Sequence, residues 1–69
     1  MQIKAELAGN LWKILVREGQ QVQADETLMI LESMKMEIPV TAPSAGRVTK
    51  IHAREGDNVP EGQLLIEVE

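Results

Sequence analysis

The chain has no cysteine, phenylalanine or tyrosine, and only one tryptophan and one histidine. Without cysteine there is no disulfide staple and no thiolate metal site. That suits a reducing compartment, and a cytoplasmic location is the expectation. With Trp12 as the single aromatic residue, any core must be aliphatic. No apolar run approaches the ~20 residues that a helix needs to cross a bilayer, so no membrane role is expected. The N-terminus, Met1-Gln2-Ile3-Lys4-Ala5-Glu6, lacks the basic start and apolar stretch of a signal peptide and the arginines of a transit peptide. Basic residues are also scarce: seven against eleven acidic, for a net charge of −4. An acidic chain with one aromatic residue and no basic patch is a poor nucleic-acid binder. Catalytic patterns are missing too. There is no Ser/His/Asp set, no Cys/His metal spacing and no glycine-rich phosphate loop. His52 has no carboxylate or second ligand in register and reads as a structural or surface residue.

What is present is a repeat. Gly9 to Glu32 aligns with Gly46 to Glu69 at a shift of 37 residues without a gap. Nine of the 24 pairs are identical, including Arg17-Glu18-Gly19 with Arg54-Glu55-Gly56, Val22 with Val59, and Leu28 with Leu65. Leu11 with Val48, Met29 with Ile66 and Leu31 with Val68 are conservative pairs. Two copies are too few for a solenoid. They imply two similar halves about a pseudo-twofold axis. The segment after Glu32 joins the copies, and its symmetry mate would join Glu69 to Met1. The first and last strands are therefore expected side by side, at the pole opposite that segment.

The local patterns are those of short strands. Gln2 to Leu7 alternates, with Ile3, Ala5 and Leu7 on one side. Leu11 to Val16 has apolar residues on both faces. The match of Ile14 with Ile51 favours the face of Trp12, Ile14 and Val16 as the buried one. Gly19 and Gly56 mark matching turns, and Val22 and Val59 are expected to plug the core from very short strands. Asp25 stands where the second copy has Gly62, and Asp tolerates a left-handed backbone better than most residues. Met29 and Leu31, with Ile66 and Val68, are expected to face inward. Pro39 and Pro43 suit an edge strand or strand ends. No helical period appears. At 69 residues the chain reads as one domain near the lower size limit for a self-sufficient core. The fold class is all-β: a flattened barrel or sandwich of two four-stranded antiparallel sheets.

Between Leu28-Met29-Ile30-Leu31 and Ile38-Pro39-Val40 lies Glu32-Ser33-Met34-Lys35-Met36-Glu37. A lysine at a hairpin tip is ordinary, but two methionines beside it are not, because exposed apolar side chains carry a hydration cost. Either they fold back onto the sheet edge or another molecule reads them. Met34-Lys35-Met36, preceded by Glu32 and followed by Glu37-Ile38, resembles the attachment site of the biotinyl/lipoyl carrier domains, over essentially the whole chain. The resemblance implies the hammerhead fold, with residues 1–69 as a single biotinyl domain. It implies biotin held covalently on Lys35, attached by biotin protein ligase, with Met34, Met36 and Glu32 read by that ligase. It also implies a non-catalytic carrier, monomeric, that takes carboxylate on biotin from a biotin carboxylase to a carboxyltransferase. Larger biotin carriers have an inserted thumb, for which there is no room between Gly19 and Leu28. Many relatives have a proline just before the first repeat glycine, whereas Leu7-Ala8 stands there in this chain.

Two other readings remain. One is a lipoyl carrier of a 2-oxo acid dehydrogenase system, whose sites usually carry Asp-Lys-Ala around the lysine; Met34 and Met36 favour biotin over lipoate. The other is a cofactor-free hammerhead adaptor, which would need no lysine at the tip. The absence of an Ala/Pro-rich linker favours a small free-standing protein.

Overall fold

A computed structural model describes residues 1–69 and contains eight strands and no helix. They are β1 (Gln2–Lys4), β2 (Gly9–Ile14), β3 (Gln21–Val22), β4 (Thr27–Ser33), β5 (Met36–Thr41), β6 (Gly46–Ile51), β7 (Asn58–Val59) and β8 (Leu64–Val68). Two four-stranded sheets form, in the orders β1-β8-β6-β3 and β5-β4-β2-β7, and all pairings are antiparallel. The sheets do not close, so the molecule is a sandwich rather than a barrel. The shift of 37 residues turns one sheet order into the other, strand for strand. Each half lends its shortest strand, β3 or β7, to the sheet of the other half.

The repeat extends further than the span from Gly9. Ala5 aligns with Ala42 and Ala8 with Ala45, and β1 is the counterpart of the second part of β5. The core follows the same rule. It has 15 buried residues, all apolar, and 14 of them form repeat pairs: Ala5/Ala42, Leu11/Val48, Val16/Ala53, Val22/Val59, Leu28/Leu65, Met29/Ile66 and Leu31/Val68. Only Ile3 lacks a fully buried mate; its counterpart Val40 is half-buried. As expected, β1 pairs with β8, and the Met1 ammonium donates to the Val68 carbonyl at 2.7 Å.

Three readings of the sequence are corrected. The first strand ends at Lys4, and the chain bends at Glu6 and Leu7. In β2 the buried face is not that of Trp12. Leu11 is fully buried, whereas Trp12 is 43% exposed. The cause is a bulge: Leu11 pairs with Leu31, but Lys13 pairs with the adjacent Ile30, so Trp12 and Lys13 both turn outward. Alternation then resumes in the other phase, with Ile14 packed against the core and Val16 buried. The second copy repeats the bulge at Val48 to Lys50. A matching irregularity at Thr27 to Met29 lets Leu28 and Met29 both face inward. The third correction concerns His52, which does have a carboxylate partner: its Nε2 lies 2.6 Å from Glu67 Oε2.

Turn chemistry agrees with the sequence. Asp25 has φ 66° where its mate Gly62 has φ 87°. Arg17-Glu18-Gly19 and its copy do more than turn the chain. The Ile51 amide donates to Glu18 and the Ile14 amide to Glu55, at 3.1 and 3.0 Å. Those are the residues just after each bulge, where the ladder is disrupted. The repeated glutamate thus ties each half to the other.

Candidate functional site

The site is built on the hairpin between β4 and β5. Ser33 pairs with Met36, which leaves Met34 and Lys35 as a two-residue loop. Their φ angles are 53° and 66°. Two positive φ values in a two-residue hairpin are the pattern of a type I′ turn, which matches the twist of the flanking strands but favours Asn-Gly. Left-handed backbone costs an ordinary L-residue about 1–2 kcal/mol. The chain holds two long side chains there, where Asn and Gly are the residues suited to the turn. Such strain is a pointer to function.

Exposure sharpens the point. Met34 is 92% and Met36 64% exposed, so neither folds back onto the sheet. Lys35 is exposed and makes no hydrogen bond or ion pair with the chain. Behind the tip the footing is rigid. Leu31 pairs with Leu11 on one side and Ile38 on the other, and Leu31 and Leu11 are fully buried. Gly9 backs the hairpin base. A Cβ there would lie 2.8 Å from the Glu32 carbonyl oxygen and 3.4 Å from Ser33 Cβ, so only glycine permits that approach.

Glu32 and Glu37 are directly opposed in the register of β4 and β5, and Asn10 flanks Glu32 on β2. Directly opposed like charges are destabilising. No cation of the chain relieves them, since the two ion pairs present are Arg47–Glu69 and His52–Glu67. All four residues expected from the sequence therefore gather at one end: Lys35, Met34 and Met36 at the tip, and Glu32 at its base. Sequence reasoning missed the positive φ values, because Met-Lys is not a type I′ signal. It also missed the Glu32–Glu37 opposition, which needs the strand register. No group of three or more His, Cys, Asp or Glu is placed to hold a metal ion. No helix is long and apolar enough to cross a membrane.

An exposed lysine on a strained two-residue turn, carried by a rigid pseudo-symmetric sandwich, defines an attachment domain. Comparison with known proteins gives the class its family. The model of the biotin- and lipoyl-attachment family described as "Biotin-requiring enzyme" matches residues 1–68. The Biotin/lipoyl attachment protein of Bacillus subtilis is 46% identical over 68 residues, 99% of this chain and 93% of its own length. The pyruvate carboxylase of the same organism is 39% identical over 67 residues, which is 97% of this chain but 6% of that enzyme. The Kluyveromyces lactis urea carboxylase contains the same fold, with a TM-score of 0.94 and 33% identity over the whole chain and 6% of the enzyme. This chain belongs to the biotin/lipoyl attachment family, and it is a biotin carrier domain.

Proposed function

We propose that Lys35 is the residue that carries biotin, and that the domain is a non-catalytic, monomeric carrier for a biotin-dependent carboxylase. The observation that carries this reading is the tip itself: a free amine on an exposed two-residue turn, between two methionines that nothing in the chain covers. Biotin protein ligase would bring biotinyl-adenylate to the tip. The Lys35 amine sheds a proton in the ligase site and attacks the biotinyl carbonyl; an amide forms and AMP leaves. The amide is neutral, so the net charge moves from −4 to −5 with the loss of one cation. Met34, Met36 and Glu32 are the contacts read by the ligase. When bound, biotin supplies the ureido nitrogen that accepts carboxylate at a biotin carboxylase site and gives it up at a carboxyltransferase site. The chain's share is to hold the arm on a fixed base, which turns each transfer into a tethered encounter.

Lipoate is a second reading, because the Bacillus subtilis attachment protein is named for both groups. Intact mass decides between them after co-expression with a biotin ligase and a lipoyl ligase, both acids being supplied. One biotin-sized increment mapped to Lys35 is expected. A lipoyl-sized increment would move the carrier to acyl-transfer chemistry, and no increment would leave an adaptor.

A further inference from the structure

The two sheets have equivalent outer faces, and only one is apolar. On the sheet that bears Lys35 the outer positions include Trp12, Leu15, Ile30 and Pro39. Trp12 and Leu15 are 43% and 50% exposed, and Pro39 pairs with Ile30 two residues behind the Glu32–Glu37 pair, on the same face. On the other sheet the repeat places Thr49, His52, Glu67 and Gln2 at these positions. Three of them are tied together: Thr49 Oγ1 donates to the Glu67 backbone carbonyl at 3.1 Å, and His52 meets the Glu67 carboxylate. The fold therefore does not require an apolar outer face. The charges differ in the same way. Glu69 has Arg47 at 2.9 Å, but the counterpart of Arg47 is Asn10, so Glu32 lacks the cation that its mate enjoys. Asn10 turns instead to Asn58 and the Gly56 carbonyl. One sheet is finished by its own side chains, and the sheet with the modified tip is left unfinished.

We infer that the outer face formed by Trp12, Leu15, Ile30 and Pro39, bounded by Glu32 and Glu37, docks the biotin carboxylase that loads the tip. The complementary surface is apolar, with an arginine or lysine that reaches the two carboxylates. Apolar area supplies most of the affinity and the opposed charges fix orientation. A second copy of this chain fits less well, because it brings the same two carboxylates and, with Lys35 acylated, Lys13 as the main cation on this face. The Lys13 ammonium is already 5.7 Å from the Trp12 ring centroid. The inference rests on the carrier reading and goes further by naming the surface used at the carboxylation step.

The repeat supplies the test. The triple variant Trp12→Thr, Leu15→His, Ile30→Glu gives the face the residues that the other sheet already carries, and His52→Leu with Glu67→Ile is the mirror control. Each is biotinylated and offered to the pyruvate carboxylase of Bacillus subtilis freed of its own biotinyl region, and ATP-dependent capture of labelled bicarbonate is followed. The triple variant is expected to raise KM by about tenfold or more with kcat within about twofold, as for loss of one anchor. The mirror control should match the wild type. Glu37→Lys, which leaves the apolar face intact, should raise KM by itself and flatten its salt dependence. Independently, the single tryptophan allows 5-fluorotryptophan labelling, and the one fluorine signal should shift and broaden when the carboxylase is added. An unchanged KM and an unmoved fluorine signal overturn the inference. So does a dimer in sedimentation that the triple variant dissociates, or a triple variant that folds but is no longer biotinylated, since the face would then serve self-association or the ligase. A biotinylated wild type that accepts no carboxylate overturns the carrier reading instead.

Discussion

The half of the molecule that holds Lys35 and the half that holds the termini share strands, bulges and buried pairs, and they differ where they meet water. In one half β4 runs through a closed two-residue turn into β5. In the other, β8 ends beside Met1 and no turn exists. One outer face is polar and internally bonded; the other carries Trp12 and Leu15 in the open. One glutamate has its arginine and the other has an uncharged asparagine beside it. The core constrains both halves equally, so the differences are not packing solutions. They mark what the first half has been given beyond folding.

The largest expected effect is at the tip. Lys35→Ala should abolish biotin labelling in the ligase assay and leave cooperative urea unfolding unchanged, because the side chain is exposed and makes no hydrogen bond or ion pair. A variant that unfolds without cooperativity would make Lys35 structural. The paired glycines give a finer break. Gly9→Ala pushes a methyl against the Glu32 carbonyl, and Gly46→Ala pushes one against the Glu69 carbonyl and the Val68 side chain. Each should cost about 1–3 kcal/mol of stability, as overpacking does. Only Gly9→Ala should also slow labelling, since its strain falls on the base of the Lys35 hairpin. Equal labelling rates for the two variants would show that the hairpin base does not position the tip.

Much of this was legible in the residues. The repeat gave the two halves, the pairing of the first and last strands, and the plugs at Val22 and Val59. Met34-Lys35-Met36 between two strands gave the candidate site. The bulge was not legible, because a single extra residue reverses the phase of an alternating pattern without leaving a local mark. That is why Trp12 was expected inside and Leu11 outside. The opposition of Glu32 and Glu37 needs the hairpin register, and the His52–Glu67 contact needs the same for β6 and β8. The difference between the outer faces was present in the alignment as Trp12 against Thr49 and Ile30 against Glu67. It has meaning only once the bulge shows that these positions point outward.

The smallest expected effect separates the strain of the turn from its use. Met34 sits at φ 53° with its side chain almost wholly in water, so it contributes little to folding and carries the cost of a left-handed backbone. Asn adopts that region more readily, and Asn is favoured at this position of a type I′ turn. Met34→Asn should therefore stabilise the protein by about 0.5–1 kcal/mol in urea unfolding, about half of the left-handed penalty being recovered. If the methionine is there for the ligase, the same variant should be labelled more slowly at equal concentration. A gain in stability with unchanged labelling would mean that the ligase reads the lysine and the carboxylate row but not Met34. No gain in stability would mean that the turn is held by the strands alone, and the most exposed large apolar residue of the molecule would then owe its place to recognition without any compensating strain.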